Sequence, residues 1–245
     1  MTRCDFRRRW PALLRPVILA ALISLLPLSL VACSSDAGSR PVGCAAATTP
    51  CLQGKALIGL ETSRGTVQIS VDGKEAPLTA GNFVDLVRRG VYNGTSFHRV
   101  VREPVPFVVQ GGDPSSADPK VPEANYGTGS FIDPDTGEAR LIPLELKFKG
   151  SGELRYGQPI STAAQSRDLA LTHQRGAVAM ARSNDPNSAS AQFYVALEAL
   201  PELDGRYAVF GRVSSGMEVI DRIQQGDRIV KATVLEGGTL VKGQP

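Results

Sequence analysis

The stretch from Phe97 to Asp113, FHRVVREPVPFVVQGGD, restricts the fold of this chain more than any other. Two apolar runs rich in β-branched residues flank a connection holding Pro104 and Pro106. The second run ends in Gln110-Gly111-Gly112-Asp113. Such runs favour strands, and a glycine pair marks a place where backbone or ligand must come close. The simplest reading is a hairpin carrying Arg99 on its first strand.

The rest of the chain keeps to the same pattern of short strands. Leu57 to Thr62 and Gly65 to Val71 read as a hairpin about the turn Ser63-Arg64-Gly65, with Val67, Ile69 and Val71 alternating with Gln68 and Ser70. A helix is expected next, with Thr79 as N-cap, Phe83, Leu86 and Val87 on one face and Gly90 at its end. Strands follow at Ser96–Val101 and Phe107–Gln110. Further strands are expected at Ala177–Arg182, Gln192–Leu197, Ala208–Val213, Arg228–Leu235 and Thr239–Val241. A second helix is expected over Met217–Gln225, with Met217, Ile220 and Ile223 inward and Gly226 ending it. Between Pro114 and Gln174 the chain is rich in Gly, Pro, Asp and Ser, with short candidate strands at 130–132, 139–142 and 144–148. This reads as a long, mobile surface excursion. Many strands and two well-separated helices predict a mainly β domain over 55–243, with an antiparallel sheet closed or nearly closed and capped by helices.

The start of the chain has a different character. Arg7-Arg8-Arg9 precede an uncharged run from Val17 to Ala32, interrupted by Pro27. At sixteen residues the run is short for a membrane span of ~20 residues and suits a secretory signal peptide. It ends Leu30-Val31-Ala32-Cys33 and is followed by Ser34-Ser35, which resembles a bacterial lipobox with Cys33 as the lipid-bearing residue. Residues 1–32 are therefore expected to be a lipoprotein signal peptide. Residues 33–54, dominated by Ser, Gly, Ala, Thr and Pro, are expected to be a lipidated N-terminus and flexible tether. By analogy with lipoproteins, Ser34 favours the outer membrane, facing the periplasm. Removing five arginines and one aspartate with the leader from 27 basic and 24 acidic residues leaves a net charge of −1, so nothing points to nucleic acid. Cys44 and Cys51 are then an even pair in an oxidising compartment, for which a disulfide is expected. Zinc competes poorly without a nearby histidine, and two free thiols are the remaining alternative.

A second motif-rich stretch, RGAVAMARSNDPNSASAQFYVALEALPELDGRYAVFGRV from Arg175 to Val213, gives the first one its meaning. Together they resemble the cyclophilin family of peptidyl-prolyl isomerases: FHR and F-x-x-QGGD in the first, P-N-S-x-S-x-QF[FY], L-D-G and F-G-x-V in the second. Asn82-Phe83 and Tyr92-Asn93-Gly94-Thr95 match as well, and the likeness covers residues 55 to about 235. It implies a closed eight-stranded antiparallel barrel with a helix over each end, and isomerisation of X–Pro bonds in proline-containing or unfolded polypeptides. No metal or cofactor is implied, and a monomer is expected. The same resemblance makes Arg99 the catalytic arginine and Gln110 its supporting glutamine. It places Phe107, Val108, Tyr194 and Leu203 in the proline pocket, Ala181, Arg182 and Gln192 along the peptide groove, and Tyr207 as an aromatic wall.

That chemistry is compatible with these residue types. Turning an X–Pro bond means losing amide resonance against a barrier of about 20 kcal/mol, with no bond broken and no nucleophile required. An apolar pocket holds the ring while a fixed guanidinium stabilises the twisted amide. Several positions depart from the family pattern: Val108 where methionine is common, Arg182 for the groove asparagine, and Glu202 for the tryptophan of tight cyclosporin binders, so weak cyclosporin affinity is expected. The connection from Arg99 to Phe107 is also longer than in compact members and could shift the arginine. It keeps alive an alternative function, a non-catalytic module that binds proline peptides. A hydrolase is poorly supported, since His98 and His173 sit in no convincing Ser-His-Asp order.

Overall fold

The computed structural model describes residues 43–44, 47–160 and 162–242, so the expected leader and Cys33 lie outside the described residues. In chain order the strands are β1 (Cys51–Leu52), β2 (Lys55–Thr62), β3 (Gly65–Asp72), β4 (Arg99–Val101), β5 (Val108–Gly111), β6 (Glu145–Lys147), β7 (Leu154–Tyr156), β8 (Ala177–Met180), β9 (Phe193–Ala196), β10 (Val209–Ser215), β11 (Ile229–Gly237) and β12 (Leu240–Val241). The helices are α1 (Pro77–Arg88), α2 (Ala163–Ser166) and α3 (Met217–Arg222). No helix of the described residues is long and apolar enough to cross a membrane.

Eight strands form one antiparallel sheet in the order β11-β2-β3-β10-β8-β9-β5-β4. The alternation read in β3 sets its inner face: Val67, Ile69 and Val71 are fully buried, while Gln68 and Ser70 are partly exposed. The expected closed barrel is corrected to a curled sheet whose edges do not pair strand to strand. β4 is only three residues long and begins too late to meet β11. A single bridge, Ser96 to Arg228, spans the seam, with Gly94 and Phe97 donating to the carbonyls of Ile229 and Asp227 at 2.7 Å each.

Helix α1 is buried from Leu78 to Val87, well beyond the one face its periodicity predicts. The reason is β1, which pairs with β12 and covers the helix's outer side. A Cβ on Gly81 would collide with the backbone of Pro50 and Cys51. The tether boundary at Gly54 is therefore corrected, since Thr49, Cys51 and Leu52 are already buried in the domain. Cys44 and Cys51 are joined by a disulfide with their Cα atoms 5.9 Å apart. Thr79 is not the N-cap. Ala76 holds that position without a side-chain bond, Pro77 starts the helix, and the N–H groups of Leu78 and Thr79, which have no partner within the helix, donate to the Glu145 carboxylate at 3.1 and 2.8 Å. At the other end Gly90 takes the left-handed conformation (φ 71°) expected of a terminating glycine. Helix α3 stops at Arg222, three residues earlier than expected, and Ile223 leaves it in extended conformation.

Glu145 belongs to the stretch from 114 to 174, which is no plain surface excursion. It contributes the hairpin β6–β7 and a small core of Leu144, Leu146, Ile160 and Leu169, each worth roughly 1.5–3 kcal/mol of burial. The strands expected at 130–132 and 139–142 shrink to isolated bridges, Ile132 to Ala139 and Ile142 to Ala189.

Candidate active site

The site grows out of the register of three neighbouring strands. In the β4–β5 pair Arg99 stands opposite Gln110, and in the β5–β9 pair Gln110 stands opposite Tyr194. Residues directly opposite in a ladder share a face, so these three project together. Arg99 Nη1 donates to Gln110 Oε1 at 3.4 Å, and its guanidinium carbon lies 5.7 Å from the Phe107 ring centroid. Along β9 the alternation separates roles: Phe193 packs edge-on against Phe83 and Tyr92 in the core, while Tyr194 faces the site. A slip of one residue would exchange them.

The long connection from Arg99 to Phe107 leaves this register intact. Val101 pairs with Val108, and Phe107 N–H donates to Val101 O at 3.0 Å, so the additional residues sit wholly in the turn. Arg102 anchors that turn by aiming Nη2 at the carbonyls of Ile220, Asp221 and Ile223 at the C-terminal end of α3, at 3.0, 2.7 and 2.8 Å. The glycines after Gln110 serve close approach. A Cβ on Gly111 would lie 2.9 Å from the Phe97 ring, and Gly112 has φ 82° with Phe193 and Tyr92 against it.

Arg99, Phe107, Val108, Gln110, Ala181, Arg182, Tyr194, Leu203 and Tyr207 line one cavity of about 220 Å³. Its floor is aromatic and aliphatic, with Tyr194 and Tyr207 edge-to-face at 5.9 Å. Gln192 lies instead in an adjoining cavity of about 210 Å³, which shares Gln110, Ala181 and Arg182 with the first. Gln110 Nε2 donates to Gln192 Oε1 at 3.3 Å across the border. Arg182 is held on the rim: its guanidinium lies 4.8 Å over the Tyr207 ring and donates to the carbonyls of Arg206 and Ser183. Glu202 is exposed on the turn beside Leu203.

Sequence reasoning missed the supports. The second cavity's outer wall is Gly127 to Ser130, from the stretch read as an excursion. Gln192 Nε2 donates to the carbonyls of Gly127 and Gly129 at 3.0 and 2.9 Å, and Asp113 accepts from their N–H groups at 2.6 and 3.1 Å. Burial opposes ionisation of Asp113, but the bonds from Ser115, Gly129 and Gly127 together outweigh it and hold the carboxyl below its ordinary range. His98, given no role in the sequence, lies half-buried beside Gly127, and burial lowers its pKa. His173, considered only for hydrolysis, is buried behind Tyr194 with its Nε2 2.9 Å from the phenol oxygen. For the wall itself the glycines of Gly127-Thr128-Gly129 were the visible signal, while Asp113 and His98 stood inside the quoted motifs without a role.

Comparison with known proteins agrees with this geometry. Residues 57–241 match the family model described as cyclophilin type peptidyl-prolyl cis-trans isomerase. A Synechocystis protein, whose name makes it a thylakoid lumen peptidyl-prolyl cis-trans isomerase, is 41% identical over 80% of this chain, which spans 52% of that relative's length. A peptidyl-prolyl cis-trans isomerase of Arabidopsis thaliana is 36% identical over 68% of this chain and 79% of its own. Human peptidyl-prolyl cis-trans isomerase-like 1 is 32% identical over 76% and 90%. Among solved structures, a Cryptosporidium parvum cyclophilin type isomerase superposes with a TM-score of 0.54 at 20% identity, covering 75% of this chain and 99% of its own. It has also been solved in the presence of the dipeptide Ala-Pro. A Hirschia baltica cyclophilin gives a TM-score of 0.51 at 24% identity, covering 76% of each chain. These two likenesses concern the fold alone. The motifs, the curled eight-stranded sheet and the family match over most of its length make this chain a member of the cyclophilin-type peptidyl-prolyl cis-trans isomerases.

Proposed function

We propose that the chain isomerises X–Pro bonds in extracytoplasmic polypeptides from a lipid anchor at Cys33. The observation that carries the activity is the single cavity joining a guanidinium and its glutamine partner to an apolar floor. The proline ring enters over Phe107, Tyr194 and Leu203, and the peptide backbone runs past Gln110, Ala181 and Arg182 towards Gln192. As the amide twists, its nitrogen becomes pyramidal and gains a lone pair. Arg99, held near Gln110, donates to it, favouring the twisted state over either planar one. No covalent intermediate forms. The Cryptosporidium neighbour, solved in the presence of the dipeptide Ala-Pro, supports a proline-containing substrate.

A proline-isomerisation assay tests the activity, on a chain that begins before Cys44 so that β1 and the disulfide are kept. Losing one preorganised donor typically costs about 10²–10³-fold in kcat. Arg99→Ala is expected to show a loss of that order. Equal rates for wild type and Arg99→Ala would sink the enzyme and leave the non-catalytic binding module, which the intact β4–β5 register does not favour. The localisation we propose is the cell envelope, at the outer membrane facing the periplasm, with the domain monomeric. It rests on the lipobox-like residues around Cys33. A Cys33→Ser chain that fractionated with membranes like its parent would overturn it.

A further inference from the structure

The two walls of the proline pocket come from different parts of the chain. Tyr194 stands on β9, whereas Leu203 and Tyr207 belong to the connection before β10. His173 joins them. Its side chain is fully buried, with Nδ1 2.7 Å from Asp204 Oδ1 and Nε2 2.9 Å from the Tyr194 hydroxyl. A carboxylate only accepts hydrogen bonds, so Nδ1 carries a proton for Asp204, and Nε2 is the hydrogen-bond partner of the Tyr194 hydroxyl. The main chain repeats the link: His173 N–H donates to the same Asp204 oxygen at 2.8 Å, and Leu200 N–H donates to His173 O at 2.8 Å. His173 is thus clamped to the segment that carries Leu203, while its ring lies nearly parallel to Tyr194, with an angle of 13°.

We propose that His173, oriented by Asp204, is a positioning residue that ties the Tyr194 ring to the Leu203–Tyr207 segment and so sets the width of the proline pocket. A buried phenol needs a hydrogen-bond partner, and His173 supplies it for a ring that lines the cavity. Burial keeps the Tyr194 hydroxyl protonated by raising its pKa, with Tyr207 adding to the effect. The pocket holds the proline ring, not the rotating bond, so it serves planar and twisted states alike. Its loosening should raise KM and leave kcat in place.

This inference rests on the isomerase reading, and the test separates the two. Isomerisation kinetics and titration with an Ala-Pro-containing peptide are measured for wild type, Tyr194→Phe, His173→Leu, His173→Gln and the Tyr194→Phe/His173→Leu double variant. Loss of one such bond predicts KM and peptide Kd raised about 3–10-fold in Tyr194→Phe and His173→Leu, with kcat within about twofold. The double variant should be no worse than His173→Leu alone, because the bond between Tyr194 and His173 is already absent in each single variant. His173→Gln, whose amide oxygen can accept from the phenol, should recover most of the loss. A downfield, slowly exchanging imidazole N–H in the proton spectrum should persist in Tyr194→Phe, showing the Asp204 link intact. A folding defect would instead lower apparent kcat at constant KM. That result, unchanged KM and Kd in folded Tyr194→Phe, or additive losses in the double variant would overturn the proposal. If wild type failed to turn over, the isomerase reading would fall while the peptide titrations still decided the role of His173.

Discussion

Arg102 is the place to test why the long connection beside the arginine does no harm. One terminal nitrogen carries two hydrogens, yet it lies within 3.0 Å of three carbonyls, those of Ile220, Asp221 and Ile223. The three contacts therefore amount to about two full bonds, each worth about 1.5–3 kcal/mol for a charged donor. Because the contact to Asp221 is exposed, the lower end applies and Arg102→Met should cost about 3 kcal/mol. For a domain of this size that lowers Tm by about 6–12 °C. Arg99 is placed by its ladder pairing opposite Gln110, not by the turn, so kcat/KM of the folded fraction should stay within about twofold. The measurement pairs thermal and denaturant unfolding with the isomerisation assay below the lowered Tm. A variant of unchanged stability whose kcat/KM fell more than about tenfold would show that the turn, not the ladder, positions the guanidinium.

Two further outcomes follow from the supports around the site. Glu145→Leu should destabilise the domain by about 3 kcal/mol, since it leaves the N–H groups of Leu78 and Thr79 buried without their acceptor and removes the partner of the Tyr156 hydroxyl. Denaturant unfolding checks it, and a loss below about 0.5 kcal/mol would mean water replaces the carboxylate. Asp113 titrates below its ordinary value of 3.8, so its contribution to stability is present above that pH and is lost as the pH falls through the lower folded pKa. The stability gap between wild type and Asp113→Asn should therefore be full well above 3.8 and narrow as the pH falls below it; a gap independent of pH would refute the assignment.

The sequence by itself determined the sheet, the helices near their true positions, and most of the residues that line one cavity. Alternation of Val67, Ile69 and Val71 with polar neighbours specifies a half-buried strand wherever that strand ends up. Arg99, Phe107, Gln110, Tyr194 and Leu203 were legible because their motifs are local strings with few alternative meanings. Boundaries were less legible: Thr79 looks like a cap, yet the helix already starts at Pro77 and the free N–H groups of its first turn, that of Thr79 included, are taken by Glu145, 66 residues away from Thr79. Only the tertiary structure decided what closes on what. It left the sheet curled instead of sealed, laid β1 over α1 in place of a tether, and turned part of the 114–174 stretch into a groove wall and a second small core. The pairing of His173 with Tyr194 and Asp204 belongs to the same class. A buried polar group takes whichever partner the folded chain brings within about 3 Å, and a linear pattern carries no record of that distance.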